Sequence, residues 1–182
     1  MGGFIGRFNN GISQNFSSSY NKGNVVGNHR VGGFVGGNLY AKNVFVYDSY
    51  NAGEIRSIGA GTGNSAGGIW GSTSPYNGVY MYVYDSFSIG KIAGSLKGGL
   101  MGYSNSGRVL LSNSYYYFDS ELQNIACVAD ASNIITPNCT MESMTYFYDF
   151  DNAPMNTWDF ENVWDGSNSG TGQMPLLKWQ VE

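Results

Sequence analysis

Large apolar residues recur along the first two thirds of the chain in pairs framed by glycine: Gly2-Gly3-Phe4-Ile5-Gly6, Gly32-Gly33-Phe34-Val35-Gly36, Gly67-Gly68-Ile69-Trp70-Gly71 and Gly98-Gly99-Leu100-Met101-Gly102. Their starts lie 30, 35 and 31 residues apart, a self-similarity that marks a stacked repeat. A second motif keeps step with the first: Ser18-Ser19-Tyr20, Asp48-Ser49-Tyr50, Asp85-Ser86-Phe87 and Asn113-Ser114-Tyr115. In three repeats a glycine follows (Gly23, Gly53, Gly90), then a β-branched residue two positions on (Val25, Ile55, Ile92). Val44-Phe45-Val46-Tyr47 and Val79-Tyr80-Met81-Tyr82-Val83-Tyr84 are β-branched and aromatic in succession, which predicts strands. No stretch of residues 1–115 shows an apolar stripe at helical spacing, and glycine recurs too often for a helix. Each repeat therefore offers three short strands: the glycine-framed apolar pair, the aromatic-rich piece before the motif serine, and the piece after the following glycine.

Three strands per period describe one coil of a β-solenoid. Alignment on the motif serine gives columns: Phe16, Val46, Val83 and Leu111; Tyr20, Tyr50, Phe87 and Tyr115; Val25, Ile55 and Ile92. Stacked coils hold equivalent residues at the interstrand spacing, about 4.8 Å, so like side chains pack on like. The predicted fold is all-β: a right-handed parallel β-solenoid (β-helix) of about four coils (2–31, 32–66, 67–97, 98–115), followed by a C-terminal aromatic-rich capping segment, 116–182. Paired glycines suit corners where backbones approach closely. Turn signals stand at Asn10-Gly11, Pro75, Asn77-Gly78 and Ser106-Gly107, and Gly59 to Ser65 reads as an inserted loop.

After Tyr115 the period fails, and Phe118 stands where the fourth repeat would carry its glycine. Aromatic residues crowd this tail, among them Tyr116, Tyr117, Phe147, Trp158, Trp164 and Trp179. A solenoid end exposes strand edges and an apolar cross-section, and this segment is rich enough to plug it. Met141 to about Tyr148 is predicted as a short helix with Thr140 as N-cap. The alternative for Trp158, Trp164 and Trp179 is an aromatic surface that binds sugars.

Charge narrows the partners. Only 12% of the 182 residues are charged, with a net charge of −4. Low charge with many aromatics argues against disorder. Nine basic residues scattered along the sequence form no evident phosphate-binding patch, which argues against nucleic acid. No apolar run reaches the roughly 18–20 residues that cross a bilayer. No signal peptide precedes the first repeat, and the expectation is that a leader was removed or that the chain is cut from a longer one. The only two cysteines, Cys127 and Cys139, fit no zinc spacing. They read as a disulfide, worth about 3 kcal/mol on the chain-entropy model; two buried thiols are the alternative.

Several patterns resemble chemistry without completing it. Gly61-Thr62-Gly63-Asn64-Ser65-Ala66 matches the loose dinucleotide pattern, but a repeat start follows instead of a helix, and no cofactor is expected. Asp149 and Asp151 open something like a calcium loop, yet Pro154 and Phe160 stand where it needs glycine and glutamate. An irregular cation site using Asp149, Asp151, Asp159 or Asp165 remains the alternative to solvated carboxylates. Asp48 and Asp85 align with each other between Ser18 and Asn113. In adjacent coils their carboxyls would lie about 5 Å apart, the separation used by retaining glycosidases. Asp, Asn and Ser are also interchangeable local hydrogen-bonders at a corner, which explains the column without catalysis. The lone His29 reads as a turn residue.

The four Gly-apolar-apolar-Gly cores and Asp48-Ser49-Tyr50-Asn51-Ala52-Gly53 resemble the GLUG-motif repeat family over residues 2 to about 115. That resemblance implies a secreted or surface-attached, adhesin-like bacterial protein whose repeats do not themselves catalyse. The expected function is a structural or adhesive segment that spaces or presents a binding surface, extracellular or at the cell surface. A carbohydrate-binding or carbohydrate-cleaving β-helix is the alternative. Expected partners are other repeats or domains of a longer parent chain, a surface glycan or a host protein. Phe4, Ile5, Phe16 and Tyr20 are expected to leave the first repeat open to self-association.

Overall fold

The computed structural model describes residues 1–8, 13–38, 43–61, 63–73, 80–104, 108–117, 125–129 and 134–181. The turn signals Asn10-Gly11, Pro75, Asn77-Gly78 and Ser106-Gly107 lie outside these residues, as do Thr62 and Phe118. The fold is all-β and parallel β-helix-like. Parallel ladders run through the repeats at each of the three predicted strands, and two shorter ones, Tyr20–Asn21 with Tyr50–Asn51 and Phe87–Ser88, and Val31–Gly32 with Ser65–Gly67, lie between them. The first stacks Ile5–Phe8, Val35–Asn38, Trp70–Thr73 and Leu96–Ser104. The second stacks Gln14–Ser17, Val44–Tyr47, Tyr80–Tyr84 and Arg108–Tyr117. The third stacks Val25–Gly27, Ile55–Ser57 and Ile92–Ala93.

The register follows the sequence columns. Phe16 pairs with Val46, Val46 with Val83, and Val83 with Leu111. Tyr20 pairs with Tyr50, Tyr50 with Phe87, and Phe87 with Tyr115. Alternation along each strand then decides the faces. Val44, Val46, Met81, Val83, Val109 and Leu111 point into a continuous apolar core, while Phe45, Tyr47, Tyr82 and Tyr84 are half-buried on the outer face.

Polar ladders reinforce the stack. The Ser19 N–H donates to Ser49 Oγ at 3.1 Å, and the Ser49 N–H to Ser86 Oγ at 3.3 Å. Each of these hydroxyls donates in turn to a carbonyl two residues back in its own repeat, as the Ser114 hydroxyl also does. Asn21 Nδ2 donates to Asn51 Oδ1 at 2.8 Å, and Asn51 Nδ2 to Ser88 Oγ at 3.3 Å. These serine and asparagine side chains thus find their partners along the stack, as burial demands.

Parallel pairing continues beyond Tyr115. Ala126–Val128 adds to Leu96–Ser104, and Ile134–Glu142 adds to Arg108–Tyr117. A disulfide between Cys127 and Cys139, with Cα atoms 6.5 Å apart, joins these two strands. The helix predicted from Met141 is corrected here. Met141 and Glu142 pair with Tyr116 and Tyr117 in the sheet, and only Met144–Tyr148 forms a 3₁₀ turn, preceded by Ser143 and not Thr140. An available parallel edge outweighs local helix propensity.

From Tyr146 the tail folds back along the flank instead of stacking beneath the last strands. Tyr146 stacks on Tyr115 at 5.7 Å, and Phe147 on Phe87 at 5.0 Å. Trp158 lies against Phe87 at 5.7 Å and Tyr50 at 6.4 Å. Trp164 reaches Tyr50 at 6.0 Å and Tyr20 at 6.3 Å. The Tyr50 hydroxyl donates to the Pro175 carbonyl and the Tyr20 hydroxyl to Gln180 Oε1, both at 2.7 Å. The aromatic column of the repeats is therefore one wall of a second core, and the tail is the other.

Candidate functional site

Asp48 and Asp85 occupy one corner column with Ser18 and Asn113. All four residues adopt left-handed backbone, with φ of 46°, 50°, 45° and 45° for Ser18, Asp48, Asp85 and Asn113. Asn and Asp tolerate this region because their short polar side chains bond locally. The backbone therefore supplies a reason for acids here that is independent of chemistry. Asn113 Nδ2 donates to Asp85 Oδ1 at 2.6 Å, and Trp158 Nε1 donates to the Asp85 carbonyl at 2.9 Å. Among the described residues no side-chain amide donates to Asp48. Partial burial, with the Asp85 carboxylate beside it, pushes its carboxyl up to about 6.

The tail carboxylates serve their own turns. Asp149 Oδ1 accepts from the Asp151 N–H. Asp159 Oδ1 accepts from the N–H groups of Glu161 and Asn162, and Asp165 accepts from the N–H and hydroxyl of Ser167. The Asn162 bonds hold the Asp159 carboxyl below its ordinary value, and the Ser167 bonds do the same for Asp165. Among the described residues no three Asp, Glu, His or Cys side chains converge as metal ligands would.

The three tryptophans separate. Trp158 and Trp164 are enclosed in the second core, so neither offers a free ring face. Trp179 is 71% exposed and borders a groove of about 400 Å³ lined by Ser18, Asn162, Val163, Leu177 and Lys178. The outer-face aromatics are half-exposed, but Phe45 and Tyr82 stack on each other at 4.4 Å with planes 5° apart. This stack covers one face of each ring.

A second concavity lies at the first repeat, a cleft of about 700 Å³ lined by Met1, Arg7, Asn28, His29 and Arg30 among glycines, with the Met1 ammonium donating to the Arg30 carbonyl at 2.9 Å. The sequence reading treated the basic residues as scattered and missed this grouping. One signal was present: residues 1–47 hold Arg7, Lys22, Arg30 and Lys42 and no acidic residue. Among the described residues no helix is long and apolar enough to cross a membrane. Comparison with protein-family models, curated proteins and solved structures finds no match.

Proposed function

We propose that this chain is a non-catalytic structural and adhesive repeat segment of a secreted or cell-surface bacterial protein of the GLUG-motif kind. In this reading it is a right-handed solenoid of about four coils. The disulfide-linked strands Ala126–Val128 and Ile134–Glu142 cover the last apolar cross-section, and the assembly spaces or presents a binding surface. The observation that carries the reading is the use made of the recurring polar residues. The serines and asparagines of the repeat motif are bonded from one repeat to the next, and the flank is sealed by the tail. Repeats that contact only their neighbours build an elongated body, and inter-repeat ladders stiffen it along its length. Other repeats of a longer parent, or a second copy, are the natural partners of the first repeat's strands, and a glycan or host protein is the expected target.

The test is incubation of the purified chain with a panel of polysaccharides, read by new reducing ends, beside binding to a glycan and host-protein array. Retention without cleavage is expected. Reducing ends released by the wild type but not by Asp48→Asn or Asp85→Asn would replace this reading with a glycosidase.

Trp179 favours a second reading, a carbohydrate-binding module. An exposed indole beside a groove with Asn162 and Ser18 offers a stacking face and hydrogen-bond partners. Glycan retention abolished by Trp179→Ala would select this reading over a plain spacer.

A further inference from the structure

We propose that the cleft of the first repeat is a binding site for an oxyanion group, such as a sulfate or carboxylate, with Arg7 and Arg30 as its ligands. The two arginines meet over one residue. Arg7 is the register partner of Gly37 in the parallel pair of Ile5–Phe8 with Val35–Asn38, so their backbones are neighbours in the ladder. The Arg30 stem lies on the same glycine: a Cβ at Gly37 would stand 3.3 Å from Arg30 Cδ and 3.7 Å from Arg30 Cβ. Both side chains line the one cleft together with His29. His29 is set by the glycine-rich insertion of the next repeat, and a Cβ at Gly63 would stand 3.4 Å from its Nδ1.

The backbone is strained to place Arg30. Its φ is 52°, left-handed for a residue that has neither the hydrogen atom of glycine nor the short polar side chain of Asn or Asp. Its N–H is tied to the Gly63 carbonyl at 3.3 Å. Strain of this kind persists where surrounding structure over-determines it, and it concentrates at functional positions. No carboxylate within the first 47 residues balances the two guanidiniums, and among the described residues neither makes an ion pair. Like charges gathered in a concavity raise the local concentration of anions. The planar guanidinium fork suits the two oxygens of a carboxylate or sulfate. The lining offers no Phe, Tyr or Trp ring, so the two guanidiniums are the groups that recognise a ligand here.

The experiment titrates the 182-residue protein with sodium sulfate, a sulfated oligosaccharide and a neutral dextran oligosaccharide, followed by calorimetry at two ionic strengths. Variants are Arg7→Gln, Arg30→Asn, which keeps a residue suited to left-handed backbone, and Arg56→Gln as a charge-matched change outside the cleft. Sulfated ligands should bind, more weakly at higher salt, while dextran does not. Arg7→Gln and Arg30→Asn should each weaken binding about tenfold, the loss of a charge-assisted bond pair, and Arg56→Gln should leave it unchanged. Equal affinity for free sulfate and the oligosaccharide assigns the site to the ion alone. Tighter binding of the oligosaccharide assigns it to a saccharide-borne group. Absence of binding, or equal weakening by Arg56→Gln, overturns the proposal. Circular dichroism of each variant separates lost binding from lost fold.

Discussion

A single backbone choice explains a column that looked like chemistry. Ser18, Asp48, Asp85 and Asn113 all turn the chain through the left-handed region, so the residue type at this corner is selected first for conformation. Stacking then places two carboxylates next to each other, and only Asp85 has the Asn113 amide to offset the repulsion. Asp48 is protonated more readily when folded than when unfolded, because burial and Asp85 raise it from 3.8 to about 6. Below about pH 4 it is neutral in both states and its contribution to stability is complete. Between about pH 4 and 6 the unfolded chain loses this proton and the folded chain holds it, so stability falls across that window. Asp48→Asn keeps the turn and removes the titration. It should melt higher than wild type at pH 7, with the gap closing toward pH 4. Thermal melts at four pH values check this, and parallel profiles for the two proteins would count against it.

At the scale of the strand and its corner, glycines do two different jobs. Gly67 has ordinary φ, but a Cβ there would stand closer than 3.0 Å to the Trp70 carbonyl, the Gly102 nitrogen and the Met101 carbonyl carbon. The obstacle is backbone of this and the next repeat, which cannot rotate away as a side chain can. Gly61, in the inserted loop, has φ of +86° and open space around it. Gly67→Ala should therefore cost about 3 kcal/mol or more, the upper range for overpacking, while Gly61→Ala should cost about 1 kcal/mol, the penalty of left-handed backbone. Urea unfolding distinguishes them, and a larger loss at Gly61 would contradict this account. The paired glycines were legible in the sequence because every repeat needs the same clearance.

For the whole molecule the decisive event is the return of the tail. Tyr50, Phe87, Trp158 and Trp164 form one aromatic core that neither the repeats nor the tail could bury alone. Its contacts link positions as distant as Tyr20 and Gln180, so the first and last parts of the chain are stabilised together. Trp158→Ala removes a buried indole and its bond to the Asp85 carbonyl. It should cost about 3–5 kcal/mol and raise binding of a hydrophobic dye. Trp179→Ala, exposed, should stay within about 0.5 kcal/mol of wild type. Denaturant melts of both variants measure this, and a stable Trp158→Ala would mean that the flank does not depend on the tail.

Periodic features belonged to the sequence. The first two strands of all four repeats and the third strand of the first three, the columns Phe16-Val46-Val83-Leu111 and Tyr20-Tyr50-Phe87-Tyr115, and the paired glycines could be read by alignment of the chain with itself, since a stacked fold imposes one environment per column. Aperiodic features could not. Met141 and Glu142 carry helix-compatible residues but lie in a strand, because the edge of Arg108–Tyr117 was there to pair with. Trp158 and Trp179 look alike in sequence, yet one is buried and the other exposed. Arg7 and Arg30 share a cleft only because the register of the first ladder brings Arg7 beside Gly37. Local pattern determines what repeats. Where the chain stops repeating, burial and approach depend on which surfaces meet, and only the tertiary structure decides that.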